Sequence, residues 1–272
     1  MNDVMFQTIV ERLRDVRGVQ AVVLGGSRGR GTAKPDSDYD IGIYFDSPDT
    51  FDIAALNAVA KDFDDAHRDD LCTQVGGWGP WVVGGGWLRV DGEPVDFIYR
   101  ELPRVRRVVD ECTRGAFSVD YQAGHPFGFA SSIYAGEVAT CRILGEGADE
   151  ITQLKSQLLP YPPALKQAIV NAFAWEAGFC ISIAHKPTQR GDLAYVNGAL
   201  FRGVMCLTQT LFALNEQWWL NEKGAVELAS SFAQAPSAYA DRVNEIFAVA
   251  ATETTGAIEI LNQLHEEVSA LL

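Results

Sequence analysis

The chain has no Cys-x-x-Cys pair. Its five cysteines, Cys72, Cys112, Cys141, Cys180 and Cys206, are odd in number and widely spaced. That spacing argues against a disulfide frame or a zinc site and points to reduced thiols in a cytoplasmic protein. The four histidines (His67, His125, His185, His265) are equally scattered and form no metal-like cluster. No uninterrupted run of about 18 apolar residues is present, so no membrane span is expected. The first residues, MNDVMFQTIVERLRDVRG, scatter acids and bases and lack the basic-then-apolar layout of a signal peptide. Positive charge is scarce: 22 Lys and Arg stand against 36 Asp and Glu, a net charge of -14. A general nucleic-acid binder needs a basic face to neutralise phosphates, so nucleic acid is not the expected partner. An acidic surface suits a small cationic partner better, although solubility alone accounts for such a charge equally well.

What is present is an ordinary globular composition over 272 residues, 47% apolar and 21% charged, enough for a buried core and too apolar for disorder. Residues 3–17 place Phe6, Ile9, Val10, Leu13 and Val16 near a 3.6-residue period and predict an amphipathic helix ended by Gly18. Val19 to Leu24 reads as a buried strand, and Tyr39 to Phe45 as a second. Helices are expected over 51–66 and 101–122, a hairpin over Trp87–Val90 and Val95–Tyr99, and a short strand near 140–144. Beyond Gly145-Glu146-Gly147 the strand signal fades. Helical periodicity then covers 163–186, 192–217, 224–234 and 238–271, with Pro187 and Pro236 as breaks. The expected class is α+β: a mixed β-sheet with flanking helices over 1–150, followed by an all-α helical bundle over 151–272.

The chemistry concentrates in Gly25–Phe45, GGSRGRGTAKPDSDYDIGIYF. Strand alternation turns Asp38 and Asp40 to one face while Tyr39 and Ile41 turn to the core. Two like charges on one strand face repel and persist best with a cation between them, and Mg²⁺ is commonly held by one or two carboxylates plus substrate phosphates. Ahead of them, Gly25, Gly26 and Ser27 follow a buried strand directly. Glycine allows close backbone approach and positive φ, amides in such a turn bind anions, and Arg30 adds a charge-assisted fork. Ser37 sits in the turn before Asp38. On the hairpin's second strand, Asp96 is a lone charge between Val95 and Phe97. Three carboxylates on neighbouring strands suit two Mg²⁺ ions in an in-line displacement. The plain alternatives are a polar hairpin loop for the Gly25–Asp40 stretch and an exposed strand residue for Asp96. Arg28 is expected to face solvent.

This order of Gly-Gly-Ser, Asp-x-Asp a dozen residues later, and a single Asp on a later strand resembles the nucleotidyltransferase superfamily that includes DNA polymerase beta. It looks closest to small bacterial members such as the aminoglycoside and lincosamide nucleotidyltransferases and the toxin-type enzymes. The resemblance spans Val23 to Tyr99. It implies that residues 1–150 are a nucleotidyltransferase domain and that the helical region closes the cleft and binds the acceptor. It carries Gly26, Ser27 and Arg30 over as phosphate contacts, with Ser37 beside them. Asp38 and Asp40 become metal ligands, and Asp96 a third ligand or the base. The implied activity is Mg²⁺-dependent transfer of a nucleoside monophosphate, with ATP the expected donor, to a hydroxyl of an aminoglycoside or lincosamide, hence antibiotic resistance. The alternatives are a toxin-type enzyme acting on tRNA or protein, and a non-catalytic nucleotide-binding regulator.

Outside the motif, GGWGPWVVGGGW (residues 76–87) places three tryptophans among glycines. They could stack on a base or a sugar, Trp78 or Trp81 more readily than Trp87. Packing into a core or against a partner is the plainer reading. In the helical half, Glu176 lies in an otherwise apolar stretch and is a candidate acceptor contact or base. Asp192 reads as a helix N-cap that could also touch the acceptor. Trp218 and Trp219 suit helix packing or a homodimer.

Overall fold

The structure, a computed structural model, describes residues 3–188 and 191–272. In chain order the first elements are α1 (Asp3–Arg14), β1 (Val19–Leu24), α2 (Gly26–Gly29), β2 (Tyr39–Phe45) and α3 (Ile53–Phe63). Next come β3 (Gly85–Val90), β4 (Glu93–Glu101), α4 (Leu102–Thr113), β5 (Val119–Asp120), β6 (Phe129–Ala130), α5 (Ser132–Thr140) and β7 (Arg142–Glu146). The helices α6 (Glu150–Gln157), α7 (Pro163–Thr188), α8 (Leu193–Leu214), α9 (Ala225–Ser230), α10 (Tyr239–Val249) and α11 (Thr254–Ser269) complete the chain. The class is α+β, as the sequence predicts. The chain divides into two compact units: Met1–Glu111 with Ser118–Gly124 and Ala130–Pro160, and Cys112–Phe117 with His125–Phe129 and Tyr161–Leu272.

The first unit is built on a five-stranded mixed sheet of order β3-β4-β2-β1-β7. Only β2 and β4 run parallel; the other neighbours are antiparallel. Alternation decides the two faces. Val22 and Leu24 of β1, Ile41, Ile43 and Phe45 of β2, and Val95, Phe97 and Tyr99 of β4 join one core with Phe6, Ile9, Val10 and Leu13 of α1 and Leu56, Val59 and Ala60 of α3. The opposite face meets α5. There Arg100, only 3% exposed, donates a bidentate fork to Glu137, Nε to Oε2 and Nη2 to Oε1, both at 2.6 Å. Its Nη1 also donates to the Tyr99 carbonyl at 2.9 Å. Burial opposes the Arg100 charge, and Glu137 more than restores it, so its pKa lies above the ordinary guanidinium value. All five cysteines are buried free thiols.

The second unit is helical. α7 packs along α8, and α11 packs against both. Its Pro163–His185 stretch, with mean hydropathy 1.2, is long and apolar enough to cross a membrane, where the sequence suggested no such segment. Lys166 and Glu176 interrupt any continuous apolar run, which hides the average. Glu176 is ion-paired with Arg202 of α8, as in a folded bundle.

Several boundaries depart from expectation. The helix expected over 101–122 stops at Thr113, and Phe117 packs against Phe173 with ring centroids 5.6 Å apart. The single helix expected over 238–271 is two, α10 and α11, parted at Ala250–Glu253. Apolar spacing carries across the break, so periodicity does not see it. Pro187 lies within the span of α7 and is not its break. α5 and α6 have no counterpart among the expected helices. α5 is buried almost all round and shows no amphipathic signature.

The Arg100–Glu137 pair makes a stability prediction. Glu137→Ala leaves a guanidinium buried without its counter-charge. Urea unfolding should show a loss of about 3 kcal/mol; a loss below about 1 kcal/mol would mean that water reaches Arg100 and the pair adds little.

Candidate active site

The site begins where β1 ends. After Leu24 the chain turns through the single helical turn α2, with Gly26 at φ +55°. Gly25 donates its amide to the Asp40 carbonyl at 2.7 Å, which ties the turn to β2. A Cβ on Gly26 would lie 1.7 Å from Asp40 Oδ2. Only a glycine lets that carboxylate lie against the backbone there. The Gly26, Ser27 and Arg28 amides open the turn and have no intrahelical acceptor.

Asp40 is fixed from the other side by strand register. In the parallel pairing of β2 and β4, Asp40 stands opposite Asp96. Directly paired residues share a face, so these two carboxylates are neighbours on the face that α5 covers further along. Asp38 lies one residue ahead of β2 and is partly exposed. Arg30 is close enough for the Asp40 charge to raise its pKa; partial burial lowers it by more, and the net direction is down.

Arg28 does not face solvent as the sequence suggested. Its Nε and Nη2 donate to the Ser37 carbonyl at 3.0 and 2.7 Å, and Nε also reaches the Asp38 carbonyl at 3.2 Å. The guanidinium lies 3.8 Å from the centre of the Tyr39 ring. Arg28 thus clamps the segment that delivers Asp38 and Asp40. Local sequence could not show this, because the partners are carbonyls nine and ten residues away. Ser37 Oγ accepts the Lys34 amide at 2.9 Å and shapes the same turn.

The tryptophan segment also differs from expectation. Trp81 is buried, with Arg104 3.9 Å from its ring and Tyr134 edge-on at 5.4 Å; no face is left for a ligand. Trp87 is the exposed one, at 63%.

The carboxylates from the helical half are engaged locally. Glu176 accepts from Arg202 Nε, and Arg202 Nη1 donates to the Phe127 carbonyl at 3.2 Å. Asp192 caps α8, its Oδ1 accepting the Tyr195 amide at 3.2 Å. A shallow groove elsewhere in the first unit, lined by Glu11, Arg14, Asp15, Val19, Gln20 and Gly147, contains none of these residues.

Among the described residues no three of His, Cys, Asp and Glu form a ready-made metal cage. Magnesium needs less than that, since it keeps several waters and takes one or two carboxylates with the substrate's own phosphate oxygens. The paired Asp40 and Asp96, an all-oxygen donor set, fit such an ion.

A turn whose amides have no intrahelical acceptor, beside carboxylates paired across two strands, is an arrangement that suits a nucleotide's phosphates. Residues 6–76 match the Nucleotidyltransferase domain family, so the chain is an enzyme that carries a nucleotidyltransferase domain, and such a domain implies a nucleoside triphosphate as substrate. The superfamily resemblance seen in the sequence is thereby borne out at the level of the domain. A nucleotidyltransferase-like protein from Exiguobacterium sibiricum is similar in structure, with a TM-score of 0.44 and 11% identity over 98% of this chain and 74% of that one. No curated protein matches the chain significantly.

The turn makes its own prediction. Gly26→Ala meets both a positive φ and the Asp40 carboxylate, and should cost about 2–4 kcal/mol in urea unfolding. Gly31→Ala, at φ +73° but with nothing within 4 Å of its Cβ, should cost only about 1 kcal/mol. Equal losses would mean that Asp40 moves aside freely.

Proposed function

We propose that the protein transfers a nucleoside monophosphate, AMP from ATP, to a hydroxyl of a small cationic acceptor of the aminoglycoside or lincosamide kind. The observation that carries the nucleotidyl transfer is the Asp40–Asp96 register beside the Gly26 turn; the acceptor class rests on the resemblance and the acidic charge. On this reading residues 1–150 are the catalytic domain, and residues 151–272 hold the acceptor, with Glu176 and Asp192 as candidate contacts.

The turn from Gly26 to Arg30 binds the β- and γ-phosphates through backbone amides, the Ser27 hydroxyl and the Arg30 guanidinium. Ser37 keeps the following loop in place beside them. Asp38 and Asp40 would hold Mg²⁺, one ion or two, with Asp96 either a third ligand or the base. When bound, magnesium neutralises the phosphate oxygens and stabilises the charge of the displacement. The acceptor oxygen forms a bond to the α-phosphorus as the bond to pyrophosphate breaks. In its role as base Asp96 accepts the hydroxyl proton, and Arg30 steadies the leaving pyrophosphate. Glu176, already neutralised by Arg202, is the weaker choice of base.

The net charge of -14 supports a cationic acceptor over tRNA, because a polyanion would be repelled. The experiment is incubation with Mg²⁺, each labelled nucleoside triphosphate and a panel of aminoglycosides and lincosamides, read by mass. A mass gain of one AMP on a drug is expected. A gain on tRNA or lysate protein instead would assign the toxin-type reaction, and no transfer to anything would leave only nucleotide binding. Asp40→Asn and Asp96→Asn should each lower turnover by about 10²-fold or more. An Asp40→Asn variant with unaltered turnover would sink the metal assignment.

A further inference from the structure

Trp87, exposed, and Trp78, partly buried, form a stack at the strand next to that of Asp96. Trp87 stands directly opposite Asp96 in the antiparallel pairing of β3 and β4. The two side chains therefore leave the sheet on the same face. Leu88 and Val90 turn to the core with Val95 and Phe97, which leaves Trp87 on the site's side. Trp78 stacks on it, ring centroids 4.5 Å apart and 20° from parallel. The Trp78 ring lies over Gly85, where a Cβ would come within 2.6 Å of it.

The stack is held in place. Gln122, 2% exposed, donates to the Trp78 carbonyl at 2.9 Å and accepts the Trp81 and Val82 amides at 2.9 and 3.0 Å. Arg68 donates to the Trp87 carbonyl at 3.1 Å while paired with buried Asp64. Two stacked indoles on a braced backbone make a flat apolar face wide enough to take a sugar ring.

Strand order then assigns it a side. Across the sheet from β1 to β3 lie the phosphate turn, Asp40, Asp96 and Trp87. Strands are spaced by about 4.8 Å, so Trp87 is roughly 10 Å from the Asp40 strand and further from the turn. In an in-line displacement the nucleophile arrives opposite the leaving group. With pyrophosphate at the turn, the acceptor must come from the β3 side.

We infer that the Trp78–Trp87 stack is the catalytic domain's own contact with the acceptor, taking the ring of a protonated amino sugar against the outer face of Trp87. This rests on the nucleotidyl-transfer reading above. Indole faces are electron-rich and attract cations, and Asp96 supplies negative charge one strand away. The cation next along the same face, Arg89, is turned to the hairpin tip, where it donates to the Gly92 carbonyl.

The test uses the full chain, with kanamycin and neomycin as protonated amino-sugar probes. Binding is measured by calorimetry with a non-hydrolysable ATP analogue and Mg²⁺ present, and transfer by mass. Trp87→Leu should weaken amino-sugar binding and raise its KM about tenfold, with the KM for ATP unchanged. Trp87→Phe should keep most of the affinity. Since Trp87 is largely exposed, neither change should alter unfolding. Unchanged amino-sugar affinity in Trp87→Leu overturns the inference. A raised KM for ATP alone also overturns it and gives the stack to the nucleotide base. A wild-type chain that binds neither probe overturns it too. In that case Mg·ATP binding, lost in Asp40→Asn, tells whether the nucleotide reading stands without it.

Discussion

The parallel pairing of β2 with β4 in a single register is the constraint on which the site depends. Side chains alternate with period two, so a slip of one residue would send Asp96 into the apolar core and Phe97 out to the site face. The core forbids that slip. Ile41, Ile43, Val95, Phe97 and Tyr99 are all fully buried against α1 and α3, and no charged replacement could sit there without a partner. The hydrophobic face thus enforces the positions of two carboxylates on the opposite one.

A second constraint acts along the same face. At one end lie Asp40 and Asp96; two pairs further along the same face Tyr44 stands opposite Arg100, and the Arg100–Glu137 fork joins β4 to α5. One sheet face therefore holds carboxylates at its open end and a neutralised ion pair under a helix. The turn after β1 is set with comparable strictness: Gly26 leaves room for the Asp40 carboxylate, and Arg28 draws the Ser37 and Asp38 carbonyls toward α2. Neither residue need touch a substrate to matter. They decide where the groups that do so are held, and tenths of an ångström count in displacement chemistry.

The helical unit follows different rules. Its acids are locally satisfied: Arg202 neutralises Glu176 while resting 4.8 Å from the Phe127 ring, and Asp192 caps α8. These bonds account for why both residues are tolerated where they stand. They also explain why spacing alone singled them out, since an acid in an apolar helix and an acid before one look alike whether they serve packing or a ligand.

Much of the architecture was written in local pattern. The β-branched run Val19–Leu24 and the alternation in Tyr39–Phe45 set two strands to their observed ends. The Gly-Gly-Ser and Asp-x-Asp spacing announced phosphate and metal chemistry, because backbone approach and paired carboxylates need those residue types in that order. Long-range partners were not written there. That Asp40 meets Asp96, that Arg28 binds carbonyls instead of water, that Trp81 is buried and Trp87 exposed, and that α5 closes one face all follow from strand register and packing. Sequence fixes which side of its own strand a residue takes. Only the fold, by burying one face of every strand at once, decides which residues of different strands meet on the other.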